Sequence, residues 1–222
     1  GNPAGTQIMV STGTDGNYNV ARSSIGKISG QSSSLTIFNL STNSIYGLQA
    51  GNLNTDGSTN TVSVTDSTST LSVPPVVASF VIYNTSLTVN LGLNTNPSGT
   101  ILEISTGSFA VGSSSKGAVT TLTIANLTAN TTYTILARSE NNTGRVSESV
   151  PAASTATYAF APGSNYFNVS DVNSASITVR WTENNNPLTP PTSYQMQVST
   201  WNSFSGAVYS SVTFLLSATS SP

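Results

Sequence analysis

Apolar and polar residues alternate with a period of two, and no stretch holds a helical period. One segment recurs three times along the chain. Together these observations predict an all-β protein built from tandem β-sandwiches, with the terminal ones incomplete within this chain. The recurring segment is Asn2-Pro3-Ala4-Gly5-Thr6, then Asn96-Pro97-Ser98-Gly99-Thr100, then Asn186-Pro187-Leu188-Thr189 running into Pro190-Pro191-Thr192. Each copy leads into a short alternating run that ends in Ser-Thr, and the pairs Ser11-Thr12, Ser105-Thr106 and Ser199-Thr200 lie 94 residues apart both times.

The strands follow from the alternation. Leu35 and Ile37, Leu87, Val89 and Leu91, Leu122 and Ile124, and Ile177, Val179 and Trp181 are each spaced by Thr, Ser, Asn or Arg. Such runs read as half-buried antiparallel strands. Clusters of Gly, Asn, Pro and Ser separate them. Asp15-Gly16, Asp56-Gly57 and Thr143-Gly144 supply turn chemistry, because Gly tolerates positive φ.

Composition narrows the function. The 222 residues carry 6% charged side chains and a net charge of −2, while Ser, Thr and Asn make up roughly two-fifths of the chain. The surface is therefore hydroxyl-rich and nearly uncharged, so side-by-side association costs little electrostatically. The basic residues Arg22, Lys27, Lys116, Arg138, Arg145 and Arg180 are scattered singly, which gives no footprint for nucleic acid. No apolar run approaches the length of a membrane-spanning helix. With no Cys and no His, thiolate chemistry, disulfides and histidine-based triads are excluded, and neither cofactor nor metal is expected. Asp15 and Asp56 read as turn formers; Glu140 and Glu148 flank one hairpin and read as solvated charges. No enzyme is expected.

A second alignment sharpens the fold. Leu35-Thr36-Ile37-Phe38-Asn39-Leu40, followed by Asn43, Ser44 and Tyr46, matches Leu122-Thr123-Ile124-Ala125-Asn126-Leu127, followed by Asn130, Thr131 and Tyr133, at a gapless offset of 87 residues. At the same offset Asn54 to Gly57 falls on Asn141 to Gly144. With a Leu six residues before a Tyr and an Asn-x-x-Gly turn after it, the chain resembles tandem fibronectin type III domains of the bacterial type, as in Ser/Thr/Asn-rich extracellular arrays. The resemblance implies that Tyr46 and Tyr133 form tyrosine corners. It also implies that Leu40, Leu127, Trp181 and Phe109 pack in cores. The middle repeat carries Leu91 where Trp181 stands in the third.

The resemblance implies three units: residues 1–73 as a partial domain, strands C to G; 74–157 as a complete domain opening at Pro74-Pro75; and 158–222 as a partial domain, strands A to C or E, with early strands near 167–169 and 177–181 and Val212 and Phe214 on the last. The chain thus starts and stops within a repeat. It is either a window on a longer array or a subunit that neighbouring copies complete by strand addition. The expected role is a structural unit of an extracellular or cell-surface filament or repeat protein. Its partners are other copies or neighbouring repeats. The alternative is an adhesive or carbohydrate-binding accessory module. Trp201 and Phe204 bear on that choice, as a possible interface, a glycan-stacking surface or simple packing. Sequons at Asn39, Asn84, Asn126, Asn130, Asn141 and Asn168 occur at the frequency that so much Ser and Thr produces by chance.

Overall fold

Strand propensity and alternation produce fifteen strands and no α-helix among the described residues of the computed structural model, which describes residues 7–12, 23–27, 34–56, 58–166 and 171–213. The first sheet contains β1 (Gln7–Thr12), β2 (Ser23–Lys27), β3 (Ile45–Leu53) and β4 (Thr59–Ser69), in the order β2-β1-β3-β4. All its pairings are antiparallel.

The central sandwich has two facing sheets. One contains β5 (Val76–Ile82), β6 (Leu87–Gly92) and β9 (Thr121–Ile124), ordered β5-β6-β9. The other contains β7 (Ile101–Thr106), β8 (Ser114–Gly117), β10 (Thr132–Glu140) and β11 (Val150–Ala156), ordered β11-β10-β7-β8. The chain crosses between sheets from β6 to β7, from β8 to β9 and from β9 to β10, giving an immunoglobulin-like arrangement. Two hairpins follow: β12 (Gly163–Tyr166) with β13 (Arg180–Thr182), and β14 (Tyr194–Ser199) with β15 (Val208–Thr213).

The core sits where the alternation places it. Leu87, Val89 and Leu91 of β6 and Leu122 and Ile124 of β9 face Leu102 and Ile104 of β7 and Ile135 and Ala137 of β10. Leu91 thus fills the central core with an aliphatic side chain, whereas Trp181 packs on Tyr194 with ring centroids 5.9 Å apart. Outside this core, Arg138 pairs with Glu103 at 2.8 Å and lies over the Phe109 ring, 4.0 Å from its centroid.

Three expectations need correction. Residues 34–38 are not a strand. Their counterparts become β9 because β6 lies beside them, with Leu87 opposite Ile124, and among the described residues no strand pairs with 35–37. The run 177–181 shortens to β13 plus a bridge between Val172 and Ile177. Phe109 is half-buried beneath Arg138 and does not join the central core. The strand expected near 167–169 and the position of Phe214 lie outside the described residues.

Truncating Ile104, which is fully buried, to Ala is expected to cost about 2–5 kcal/mol through lost transfer energy and a residual cavity. Val111→Ala, at an exposed position, is expected to stay within about 0.5 kcal/mol. Urea titrations of both variants check the contrast.

Candidate functional site

The second and third Asn-Pro segments build the joints at the two ends of the central sandwich, and the first lies outside the described residues. Each joint begins with a turn after β6 or β13. Asn94 and Thr95 both take left-handed φ, 48° and 67°, as do Asn184 and Asn185, 50° and 63°. The turns close with Asn96 N–H on Leu93 O and Asn186 N–H on Glu183 O. Asn tolerates this conformation better than a β-branched residue. Thr95 is therefore the strained member of the four.

The next Asn faces the preceding linker. Asn96 Oδ1 accepts from Val73 N–H at 2.9 Å while its Nδ2 donates to Val73 O and Leu93 O, both at 2.7 Å. Asn186 repeats the pattern: Oδ1 accepts from Phe160 N–H at 2.7 Å and Nδ2 donates to Phe160 O and Glu183 O, both at 2.9 Å. Two positions earlier in each motif, Asn94 Nδ2 donates to Pro74 O and Asn184 Nδ2 to Ala161 O, each at 2.9 Å. A side-chain amide carries the same donor and acceptor as a peptide unit. Each linker is thus held as a strand is held by its neighbour. Asn96 and Asn186 are buried, so these bonds leave no amide group unpaired away from water.

The upstream half of each joint is equally repetitive. Ser41 N–H donates to Tyr46 Oη and Thr128 N–H to Tyr133 Oη, each at 2.9 Å. Thr70 Oγ1 donates to Ser41 O, and Thr157 Oγ1 to Thr128 O, each at 2.6 Å. These bonds fix turns that present Asn43 and Asn130, with φ of 44° and 47°. Across the joint, Asn43 Nδ2 donates to Thr100 Oγ1 at 2.8 Å and Asn130 Nδ2 to Thr192 Oγ1 at 2.9 Å. Thr42 Oγ1 also donates to Thr95 O at 2.8 Å.

The first joint has a further clasp. Asn142 donates from its N–H to Asn43 Oδ1 at 2.8 Å and from Nδ2 to Asn43 O at 2.9 Å. Asn141 Nδ2 donates to Thr70 O at 3.1 Å. Asn141 Oδ1 shapes the turn by accepting from Thr143 N–H and Arg145 N–H, and Gly144 completes it at φ 81°. Ser139 Oγ lies 2.8 Å from Ser72 Oγ and 2.6 Å from Val73 O.

Other candidate residues do not gather at one place. Leu127 is buried and Leu40 half-buried; Tyr46 is buried and Tyr133 half-buried. Trp181 is buried, with Nε1 unpartnered among the described residues. Glu140 pairs with Lys116, and no three Asp, Glu, His or Cys residues of the described chain converge on a metal-binding arrangement. Asp56 Oδ1 accepts from Ser58 Oγ at 2.6 Å and Ser58 N–H at 2.9 Å. These bonds hold its carboxyl below the usual carboxylate range. The bonded turn is therefore favoured above the ordinary Asp pKa, near 4, and loosens as pH falls through the lowered value.

Trp201 and Phe204 are 64% and 53% exposed. They cap the β14–β15 hairpin, with Phe204 at φ 52° and Trp201 lying so close over Gly206 that a Cβ there would collide with Trp201 Cδ1. An open apolar cleft of about 380 Å³ lies behind the hairpin, lined by Val172, Ile177, Met196, Val198 and Tyr209.

Fold and joints define the chain as tandem all-β sandwiches joined through uncharged polar contacts. No protein-family model matches it, and no curated protein does. Among solved structures it is similar to the crystal structure of chicken CNTN1 FN1-FN3 domains, with 14% identity and a TM-score of 0.35. That similarity covers 69% of this chain and 56% of the other, so the chain spans about half the length of its solved neighbour. No helix among the described residues is long and apolar enough to cross a membrane.

The Asn-Pro repeat was visible in sequence as a period marker, but its role as a latch was not. The signal available was an Asn two positions before the latching Asn, and a Pro directly after it, in both copies. Asn96→Asp is expected to destabilise the central sandwich by about 2–4 kcal/mol, because a carboxylate would face two carbonyl oxygens with no donor to offer. Asn96→Ala should cost less, about 1–3 kcal/mol. Thr95→Gly should stabilise by about 1 kcal/mol by relieving the left-handed Thr. Thermal and urea unfolding of the three variants check the ranking.

Proposed function

We propose that this chain is a structural repeat unit of an extracellular or cell-surface filament or long repeat protein. Its units are residues 1–73, 74–157 and 158–222, each of fibronectin type III type. The observation that carries this reading is the recurrence of one joint. The same Asn latch, the same Asn-to-Thr bond and the same tyrosine corner recur at both ends of the central sandwich, at offsets of 87 to 92 residues. A binding module needs one good surface, whereas a rod needs every joint to hold the same angle.

The joint is built for the extracellular setting. Its contacts come from Asn, Thr, Ser and backbone groups, and none of these titrates between pH 4 and 9 or responds to ionic screening as ion pairs do. Each neutral bond contributes on the order of 0.5–1.5 kcal/mol. Several acting on one short linker hold it more firmly than a flexible connection. In the filament version of the reading, copies meet head to tail and complete one another by β-strand addition.

The exposed pair Trp201 and Phe204 favours a second reading, an adhesive or carbohydrate-binding accessory module, since aromatic faces stack on sugars and anchor protein contacts. Small-angle scattering and electron microscopy of the purified chain separate the two. The structural reading expects extended particles whose dimensions stay constant from pH 4 to 9 and up to molar salt, and linear polymers with a regular axial repeat at high concentration. Compact or freely bending monomers that bind immobilised glycans through Trp201 would overturn it.

A further inference from the structure

We infer that Asn39 and Asn126 are carbohydrate acceptors, and that the other sequons of the described chain are structural asparagines. This rests on the extracellular reading above, and its evidence is separate from the joints' recurrence. Sequence alone ranks no sequon above another; the fold does, through the fate of Nδ2, the atom that would carry the sugar.

In three sequons that nitrogen is already committed. Asn141 is 3% exposed and its Nδ2 donates to Thr70 O across the first joint. Asn130 Nδ2 donates to Thr192 Oγ1 across the second. Asn84 Nδ2 donates to Ala159 O at 2.7 Å and so holds the second linker. A sugar takes one of the two protons on Nδ2 and sets a bulky ring beside the packed contact that this nitrogen makes. Asn168 lies outside the described residues.

Asn39 and Asn126 differ in exposure and in bonding. Both are exposed, and neither side chain has a hydrogen-bond partner among the described residues. Both take left-handed φ, 61° and 59°, at the same turn of successive units, 87 residues apart. Within each sequon the middle Leu turns inward, Leu40 half-buried and Leu127 buried, while the hydroxyl residues Ser41 and Thr128 stay exposed. The acceptor amide and its hydroxyl therefore share the solvent side, and a glycan there disturbs no contact.

The chemistry needs only a glycosyl donor activated as a lipid-linked diphosphate. Nδ2 forms a bond to the anomeric carbon, the anomeric carbon–oxygen bond to the diphosphate breaks, and the amide gives one proton to a base of the transferase. The product offers a physical benefit here. With 6% charged residues, the surface has little electrostatic repulsion to prevent lateral association. A hydrated, bulky glycan beside each joint supplies steric exclusion instead.

Peptide mapping by mass spectrometry, on the polypeptide recovered separately from the cell surface or medium and from the cell interior of its source, tests this. The expected result is glycan mass at Asn39 and Asn126 and none at Asn84, Asn130 or Asn141. Surface or secreted protein unmodified at Asn39 and Asn126, or glycan found on Asn84, Asn130 or Asn141, overturns the inference while leaving the structural reading intact. Protein found only inside the cell and unmodified overturns both.

Discussion

Everything in this molecule that is more than a set of separate sandwiches depends on one interaction: a buried asparagine amide standing in for a peptide group. At Asn96 and Asn186 the side chain offers an acceptor to the linker N–H and a donor to its carbonyl. A linker between domains normally satisfies its backbone groups with water and stays mobile. Here the following unit supplies those partners, so the linker becomes part of that unit. The turn that presents each Asn can then meet the Asn43 or Asn130 turn of the preceding unit at a fixed place.

The choice of Asn over a charged group suits the surface. Ion pairs exist on the central sheet, where Lys116 meets Glu140 and Arg138 meets Glu103 over Phe109, but they lie on strand faces and not in the joints. Exposed pairs contribute little and are screened by salt. A joint made from amides and hydroxyls keeps its geometry where ionic conditions vary, which is the setting proposed for this chain. The cost is strain at Thr95, whose left-handed backbone is held by the closing bond from Asn96 and the incoming Thr42 hydroxyl.

Much of the fold was legible in the sequence, because burial on one sheet face imposes a period of two. Leu87, Val89 and Leu91, with Leu122 and Ile124, are buried in the alternation their spacing implied. Legibility failed where pairing, and not the local pattern, decides the outcome. Leu35 and Ile37 repeat the pattern of Leu122 and Ile124, yet only the latter pair has β6 beside it. The joints failed to show for a different reason. Asn is common in turns for local reasons, so nothing in Asn96 or Asn186 alone distinguishes a turn former from a latch; only the linker lying against it does. Phe109 was misplaced because Arg138, a partner distant in sequence, offered it a cation–π contact outside the core.

The most direct test of this account measures how tightly one sandwich is held against the next. The chain has no cysteine, so Ser67→Cys and Ser114→Cys, both at exposed strand positions on either side of the first joint, can carry a pair of spin labels. Pulsed electron-resonance distances should give one narrow distribution that broadens when Asn43→Ala and Asn96→Ala are introduced together. A broad distribution in the chain with its joint intact, or a width unchanged by those two substitutions, would contradict the claim that asparagine latches fix the joint.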